Sequence, residues 1–224
     1  MRRAIGFDLD GTLFDDRQYV RQGFDAAASY LARETGRDLR DAFADAYFER
    51  GITDRTFDVV CREQGLDPAY VPALIEAYHG STAPLDPAPG AESVLQSLGR
   101  ICRIGVLTGG RRGRSKLERL GLDTFVDAVV VTPDRDLSKR QREAFSVFYD
   151  ELGVEPHESI FVGDRPELDL RWPAELGALT VWIRGTDRSR PVNSPTHEPT
   201  AVVDELRRLP EVLESIGAIP RARE

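Results

Sequence analysis

The sequence predicts an α/β protein: a parallel sheet between helical layers, with an all-helical insert early in the chain. Three observations predict it. Short apolar runs recur, each followed by turn residues and then by a stretch of helical periodicity. Four of the five runs are almost continuously apolar, as strands covered on both faces are. Residues 17–80 break this rhythm with helical patterns and no convincing strand. Alternation of strand and helix implies right-handed crossovers, and therefore parallel pairing.

Taken in order, the first strand spans residues 4–7 and runs into Asp8-Leu9-Asp10-Gly11-Thr12. Helical patterns follow over 18–34, 39–49, 53–64 and 68–78. In them Phe43, Tyr47 and Phe48 share one face, as do Phe57, Val60 and Cys61, which predicts a packed helical bundle. Pro84, Pro87, Pro89 and Gly90 mark the return. A helix over 88–98 precedes a strand over 101–107 that ends in Thr108-Gly109-Gly110. Helix 114–120, strand 126–132, helix 140–152 and strand 159–162 follow, the last ending in Gly163-Asp164. Helix 166–176 and strand 179–183 complete the pattern. Residues 185–200 read as an irregular loop, and 202–216 as a closing helix. The expected domains are a core of 1–16 and 84–224 and an insert of 17–83.

Composition narrows the function. Thirty basic residues against 38 acidic give a net charge of −8, which argues against general binding to nucleic acid or anionic membrane. No run approaches the ~18 apolar residues of a membrane span. The chain starts without a long apolar run or a small-residue cleavage site, and Cys61 and Cys102 are isolated, so a reducing cytoplasm is expected. The histidines, His79, His157 and His197, are scattered without zinc-ligand spacing and read as surface or packing residues. Nearly all cations are arginine, and the only lysines are Lys116 and Lys139. Lys116 lies in the amphipathic stretch Ser115-Lys116-Leu117-Glu118 and is expected to be exposed.

Ligands of parallel sheets bind beyond the carboxyl ends of the strands. Three of the expected strands end in complementary polar residues: Asp8, Asp10 and Thr12 after the first, Thr108 after the second, and Asp164 and Asp169 after the fourth. Asp8 and Asp164, brought together, repel unless a cation lies between them, and Mg²⁺ suits such oxygen ligands. An aspartate there can attack phosphorus and form an aspartyl phosphate. A second aspartate two residues on, Asp10, can protonate the leaving alcohol and later take a proton from water. Phosphoryl transfer further needs a hydroxyl and a cation, for which Thr108 and Lys139 are the candidates.

These residues resemble the four motifs of the haloacid dehalogenase superfamily, in their usual order: Asp8-Leu9-Asp10-Gly11-Thr12-Leu13-Phe14-Asp15, Thr108, Lys139, and Gly163-Asp164 with Asp169. The resemblance covers essentially the whole chain. It implies a Rossmann-like parallel sheet core with helices on both faces, and a helical cap in place of the insert. It implies Asp8 as nucleophile and metal ligand, and Asp10 as general acid/base and metal ligand through its backbone carbonyl. Thr108 and the Gly109 N–H would hold phosphate oxygens, and Lys139 would neutralise charge between Asp8 and phosphate. Asp164 would complete the Mg²⁺ site, with Asp169 supporting it or Lys139. The chain departs from the pattern at Arg140, where Lys139 lacks its usual following proline, at Gly109 in place of Asn, and at Trp172-Pro173 in place of small residues.

The superfamily's dehalogenases lack an acid at the position of Asp10, because a halide leaves without a proton. Asp10 therefore favours phosphate-ester hydrolysis. A phosphomutase or a dehalogenase of the same superfamily, and a non-catalytic phosphate- or partner-binding relative, remain alternatives. A phosphonate-cleaving relative would need a cap lysine, and no lysine lies between Arg17 and Gly80. The expected substrate is a small phosphorylated metabolite, a sugar phosphate or nucleoside monophosphate, with Arg17, Arg21, Arg50 and Arg55 available in the insert to meet a second anionic group. The expected assembly is a monomer or homodimer.

Overall fold

The computed structural model describes residues 2–184 and 198–221. His197 and most of the loop expected over 185–200 lie outside the described residues. The chain divides into two compact units, one of Met1–Asp15 with Leu85–Glu224 and the other of Asp16–Pro84. The strands, all in the first unit, are β1 (Ala4–Phe7), β2 (Arg103–Thr108), β3 (Ala128–Val131), β4 (Ser159–Gly163), β5 (Leu179–Ile183) and β6 (Ala201–Val203). The helices of the second unit are α1 (Arg17–Thr35), α2 (Arg40–Ala44), α3 (Thr56–Glu63) and α4 (Val71–His79). Those of the first are α5 (Ala91–Gly99), α6 (Gly113–Leu120), α7 (Arg142–Leu152), α8 (Arg171–Leu176) and α9 (Leu209–Ser215).

Among the described residues six strands, all parallel, lie in the order β3-β2-β1-β4-β5-β6. The chain builds outward from β1 on one side through β2 and β3, then returns to lay β4, β5 and β6 on the other. The order therefore reverses at β1, and the crevice beyond its carboxyl end is where ligands of such sheets bind. β1 is wholly buried, as its unbroken Ala4-Ile5-Gly6-Phe7 run requires.

Register places Gly6 beside Gly105 in the neighbouring strand. The ring of Phe148, from α7, lies over both: a Cβ on either glycine would stand 2.7–2.8 Å from it. The two glycines thus make a groove in the sheet face that Phe148 fills, and Phe161 meets both Phe148 and Phe145 edge to face. Burying each such ring stabilises the fold by roughly 1.5–3 kcal/mol.

β6 is a correction to the sequence reading. Ala201–Val203 pairs with β5 instead of opening a helix, and the helix forms only over Leu209–Ser215. The reason is chemical. Val202 and Val203 are β-branched, and Pro210 has no N–H to give to a helix that began eight residues earlier; it stands instead in the first turn of α9. Pro173 is placed likewise, within the first turn of α8.

The second unit has a core of its own. Phe24 of α1 stacks on Phe43 of α2 at 5.8 Å and meets Phe57 of α3 edge-on at 5.8 Å; Phe43 and Phe57 meet at 5.0 Å. Residues 45–49 continue α2 as a π-helical turn. Gly36 closes α1 at φ +74°, its N–H donating to the Ala32 carbonyl. The Tyr19 hydroxyl and His79 Nδ1 lie 2.8 Å apart, which makes His79 a packing residue. Among the described residues, no helix is long and apolar enough to cross a membrane.

Candidate active site

The first unit collects the candidate residues at the carboxyl end of its sheet. Asp8 continues the ladder past β1, its N–H donating to the Val162 carbonyl at 2.9 Å. Thr108 is the last residue of β2, and Asp164 follows β4 directly. Lys139 arrives on the turn between β3 and α7. That turn is fixed by Ser138 N–H to Gln141 Oε1 at 2.8 Å and by Trp172 Nε1 donating to the Arg140 carbonyl at 3.0 Å. Asp169 sits in a π-helical turn over Pro166–Leu170, where the Arg165 N–H donates to its Oδ2 at 2.9 Å.

Two polar clusters result. In the first, Lys139 Nζ bridges Asp8 Oδ1 and Asp169 Oδ1, the latter at 2.8 Å. Asp8, Asp164 and Asp169 each bring a carboxylate oxygen within 4.8 Å of the others, all three buried. Burial pushes the Asp8 carboxyl up to about 7, against the pull of Lys139, with Asp169 and Asp10 adding to the rise. For Lys139 burial acts downward, but Asp169 and Asp8 outweigh it and hold the ammonium above the ordinary lysine range. In the second cluster, Thr108 Oγ1 donates to Asp10 Oδ2 at 2.9 Å, and Lys116 Nζ stands 2.5 Å from Asp10 Oδ1.

Lys116 is the second correction. It is 5% exposed, not a surface residue. On α6 it lies next to Leu117 and one turn before Leu120, both buried, and its stem follows them inward while its ammonium reaches Asp10. The amphipathic pattern alone does not show this; the signal was its rarity, as one of two lysines in an arginine-rich chain.

Glycines let the loops close. At Gly11, φ is +91° and a Cβ would lie 2.5 Å from Asp164 Oδ2. At Gly110 a Cβ would lie 2.4 Å from Asp10 Oδ2 and 2.9 Å from Lys116 Nζ. Gly109, by contrast, has only Lys139 Cδ within reach, at 4.0 Å, so space remains beside the lysine. Thr12 Oγ1 lies 3.5 Å from Asp164 Oδ1, and Trp182 Nε1 donates to the Asp164 carbonyl at 3.2 Å. Neither contact was legible from spacing.

The charges of the two clusters fit a divalent cation. Four carboxylates, Asp8, Asp10, Asp164 and Asp169, face two ammonium groups, Lys116 and Lys139, which leaves a formal excess of two negative charges. The all-oxygen donor set suits a hard divalent cation rather than a softer metal.

A family model described as a haloacid dehalogenase-like hydrolase matches residues 2–177. A glyceraldehyde 3-phosphate phosphatase of Methanopyrus kandleri is 28% identical over 97% of this chain and 99% of that protein. An N-acylneuraminate-9-phosphatase of Mus musculus is 33% identical over 58% of this chain and 52% of that protein. The solved 2-haloacid dehalogenase of Pseudomonas syringae pv. Tomato DC3000 shares the fold, with a TM-score of 0.70 at 20% identity over 96% of this chain and 99% of that one. With the family model spanning most of its length, the chain belongs to the haloacid dehalogenase-like hydrolases.

Proposed function

We propose that the protein is a Mg²⁺-dependent phosphatase that hydrolyses a small phosphorylated metabolite, of the sugar phosphate or nucleoside monophosphate class, through an aspartyl phosphate on Asp8. The observation that carries the reading is the separation of two aspartates into two environments. Asp8 lies with Lys139, Asp164 and Asp169; Asp10 lies with Thr108 and Lys116. One carboxylate is thereby suited to attack and the other to proton transfer.

In the first step Asp8 Oδ attacks phosphorus and the ester P–O bond breaks, with Asp10 giving its proton to the departing alcohol oxygen. In the second, water attacks the aspartyl phosphate, Asp10 takes the water's proton, and inorganic phosphate leaves with Asp8 restored. Lys139 balances charge between Asp8 and the phosphoryl oxygens. Thr108 and the Gly109 N–H receive the other oxygens in the space beside Lys139. Asp8 and Asp164, with the Asp10 carbonyl, would hold Mg²⁺, and Asp169 would orient Lys139. When bound, Mg²⁺ supplies charge neutralisation to the transferring group.

The substrate class is supported by the relatives named above, which act on glyceraldehyde 3-phosphate or an N-acylneuraminate 9-phosphate, and a third, 29% identical, is a pyrimidine 5'-nucleotidase of Escherichia coli. The helical unit Asp16–Pro84 would serve as a cap that encloses such molecules and excludes water. A phosphate-release screen over phosphorylated metabolites, run with Mg²⁺ and with EDTA, tests the reading. Release from one or a few small esters, abolished by EDTA, is expected. No release from any ester, or release only from phosphoproteins, would overturn it.

A further inference from the structure

We infer that Lys116 is the positioning residue for proton delivery: it holds the Asp10 side chain and confines the transferable proton to Oδ2, the oxygen beside Thr108. The inference rests on the phosphatase reading and deepens it. An ammonium has three donors and no acceptor, so the oxygen it meets can only accept. Lys116 Nζ stands 2.5 Å from Asp10 Oδ1, which leaves Oδ2 as the one atom from which Asp10 can deliver a proton. Oδ2 faces Thr108 Oγ1 at 2.9 Å, and that hydroxyl oxygen accepts from the Gly110 N–H at 3.0 Å. When Oδ2 carries the proton, the Thr108 hydroxyl hydrogen is released from Asp10 and can turn to a phosphoryl oxygen. Proton delivery and phosphate binding are thus set at neighbouring atoms.

The surroundings are built for this contact. Gly110 has no side chain because one would occupy the space of Asp10 Oδ2 and Lys116 Nζ. The Phe14 ring lies 5.9 Å from the ammonium. Gly113, in the first turn of α6, closes on Thr108 and Val131, where a Cβ would meet Thr108 Cγ2 at 2.6 Å, and so draws the helix carrying Lys116 against the end of β2. Burying an ion pair is a poor route to stability, because desolvation consumes most of the attraction. A buried lysine whose ammonium meets the acid/base residue is better explained by orientation.

The test exploits leaving groups. An alkyl phosphate needs a proton on its departing oxygen; 4-nitrophenyl phosphate, whose leaving group is a stable anion, does not. The quantity compared is kcat/KM, which stops at release of the alcohol or phenol and excludes the later water attack. For Lys116→Met, kcat/KM on the alkyl phosphate should fall by roughly 10²-fold while that on 4-nitrophenyl phosphate falls less than about threefold. Lys116→Arg, which keeps a cationic donor, should restore part of the alkyl rate. Equal losses on both substrates, or no loss on either, would overturn the inference while leaving the phosphatase reading in place. The alkyl phosphate is taken from the esters that the wild-type protein hydrolyses in the metabolite screen, and a wild-type protein inert towards every ester of that screen would sink the phosphatase reading itself. Circular dichroism checks the fold, and should the Met variant not fold, Lys116→Arg and Lys116→Gln are judged by the same ratio.

Discussion

Asp8 carries an electrostatic load whose sign can be measured. Its carboxyl is pushed up to about 7 in the folded chain from 3.8, chiefly by burial. A raised acid stabilises the fold below its unfolded value and withdraws that contribution as pH rises through the folded value. Lys139, held above the ordinary lysine range, is protonated in both states across this window and adds no slope. In EDTA, therefore, the melting temperature of Asp8→Asn should pull ahead of wild type as pH rises from about 4 to about 7. The same variant should lose phosphate release by several orders of magnitude (about 10⁴-fold or more), since no nucleophile replaces the carboxylate. Melting curves at successive pH values check the first claim and initial rates the second. A gap that shrinks with pH would show that Asp8 is not held up by burial. Residue types at strand ends were readable because the chemistry asks for them in order along the chain. Lys116 was not, because nothing in its own stretch of sequence shows that β2 and α6 turn its ammonium towards Asp10.

At the scale of elements, the loops after the strands do the positioning. The turn after β1 needs Gly11 twice over, for its φ of +91° and for its closeness to the Asp164 carboxylate. Gly11→Ala should cost about 1–3 kcal/mol in stability and raise the Mg²⁺ concentration needed for half-maximal rate by about tenfold or more. Denaturant melts and a metal titration of the rate check this; an unchanged metal requirement would mean that the Asp164 carboxylate tolerates displacement. β1 and β5 were legible to the residue, because an apolar run bounded by polar turns has one reading. β6 was not, because three residues are too short for periodicity and Val202 sits in a stretch that also suits a helix. The π-helical turns at 45–49 and 166–170 were equally invisible: they differ from α-helix in hydrogen bonding, not in pattern.

For the molecule as a whole, each unit has its own core, so damage can be confined to one of them. Phe43 is fully buried and touches both Phe24 and Phe57 in the second unit. Phe43→Ala should cost about 3–5 kcal/mol there. Amide hydrogen exchange should then quicken through α1–α4 while β1, β2 and β4 keep their protection; uniform quickening would show that the two units open as one. The alternation of strands and helices gave the parallel sheet, and the aromatic spacing in 43–61 gave the helical insert. The position of β1 at the point where strand order reverses came only from the structure, since sequence patterns do not say on which side a strand is laid.

The chain has two tryptophans, and both donate an indole N–H to a backbone carbonyl of a loop that carries a site residue: Trp172 to Arg140, next to Lys139, and Trp182 to Asp164. Indole emission responds to the dipole its N–H meets, so the protein carries built-in fluorophores on two loops of the candidate site. A shift in intrinsic fluorescence on adding cation or orthophosphate would report occupancy directly, without dye, label or turnover.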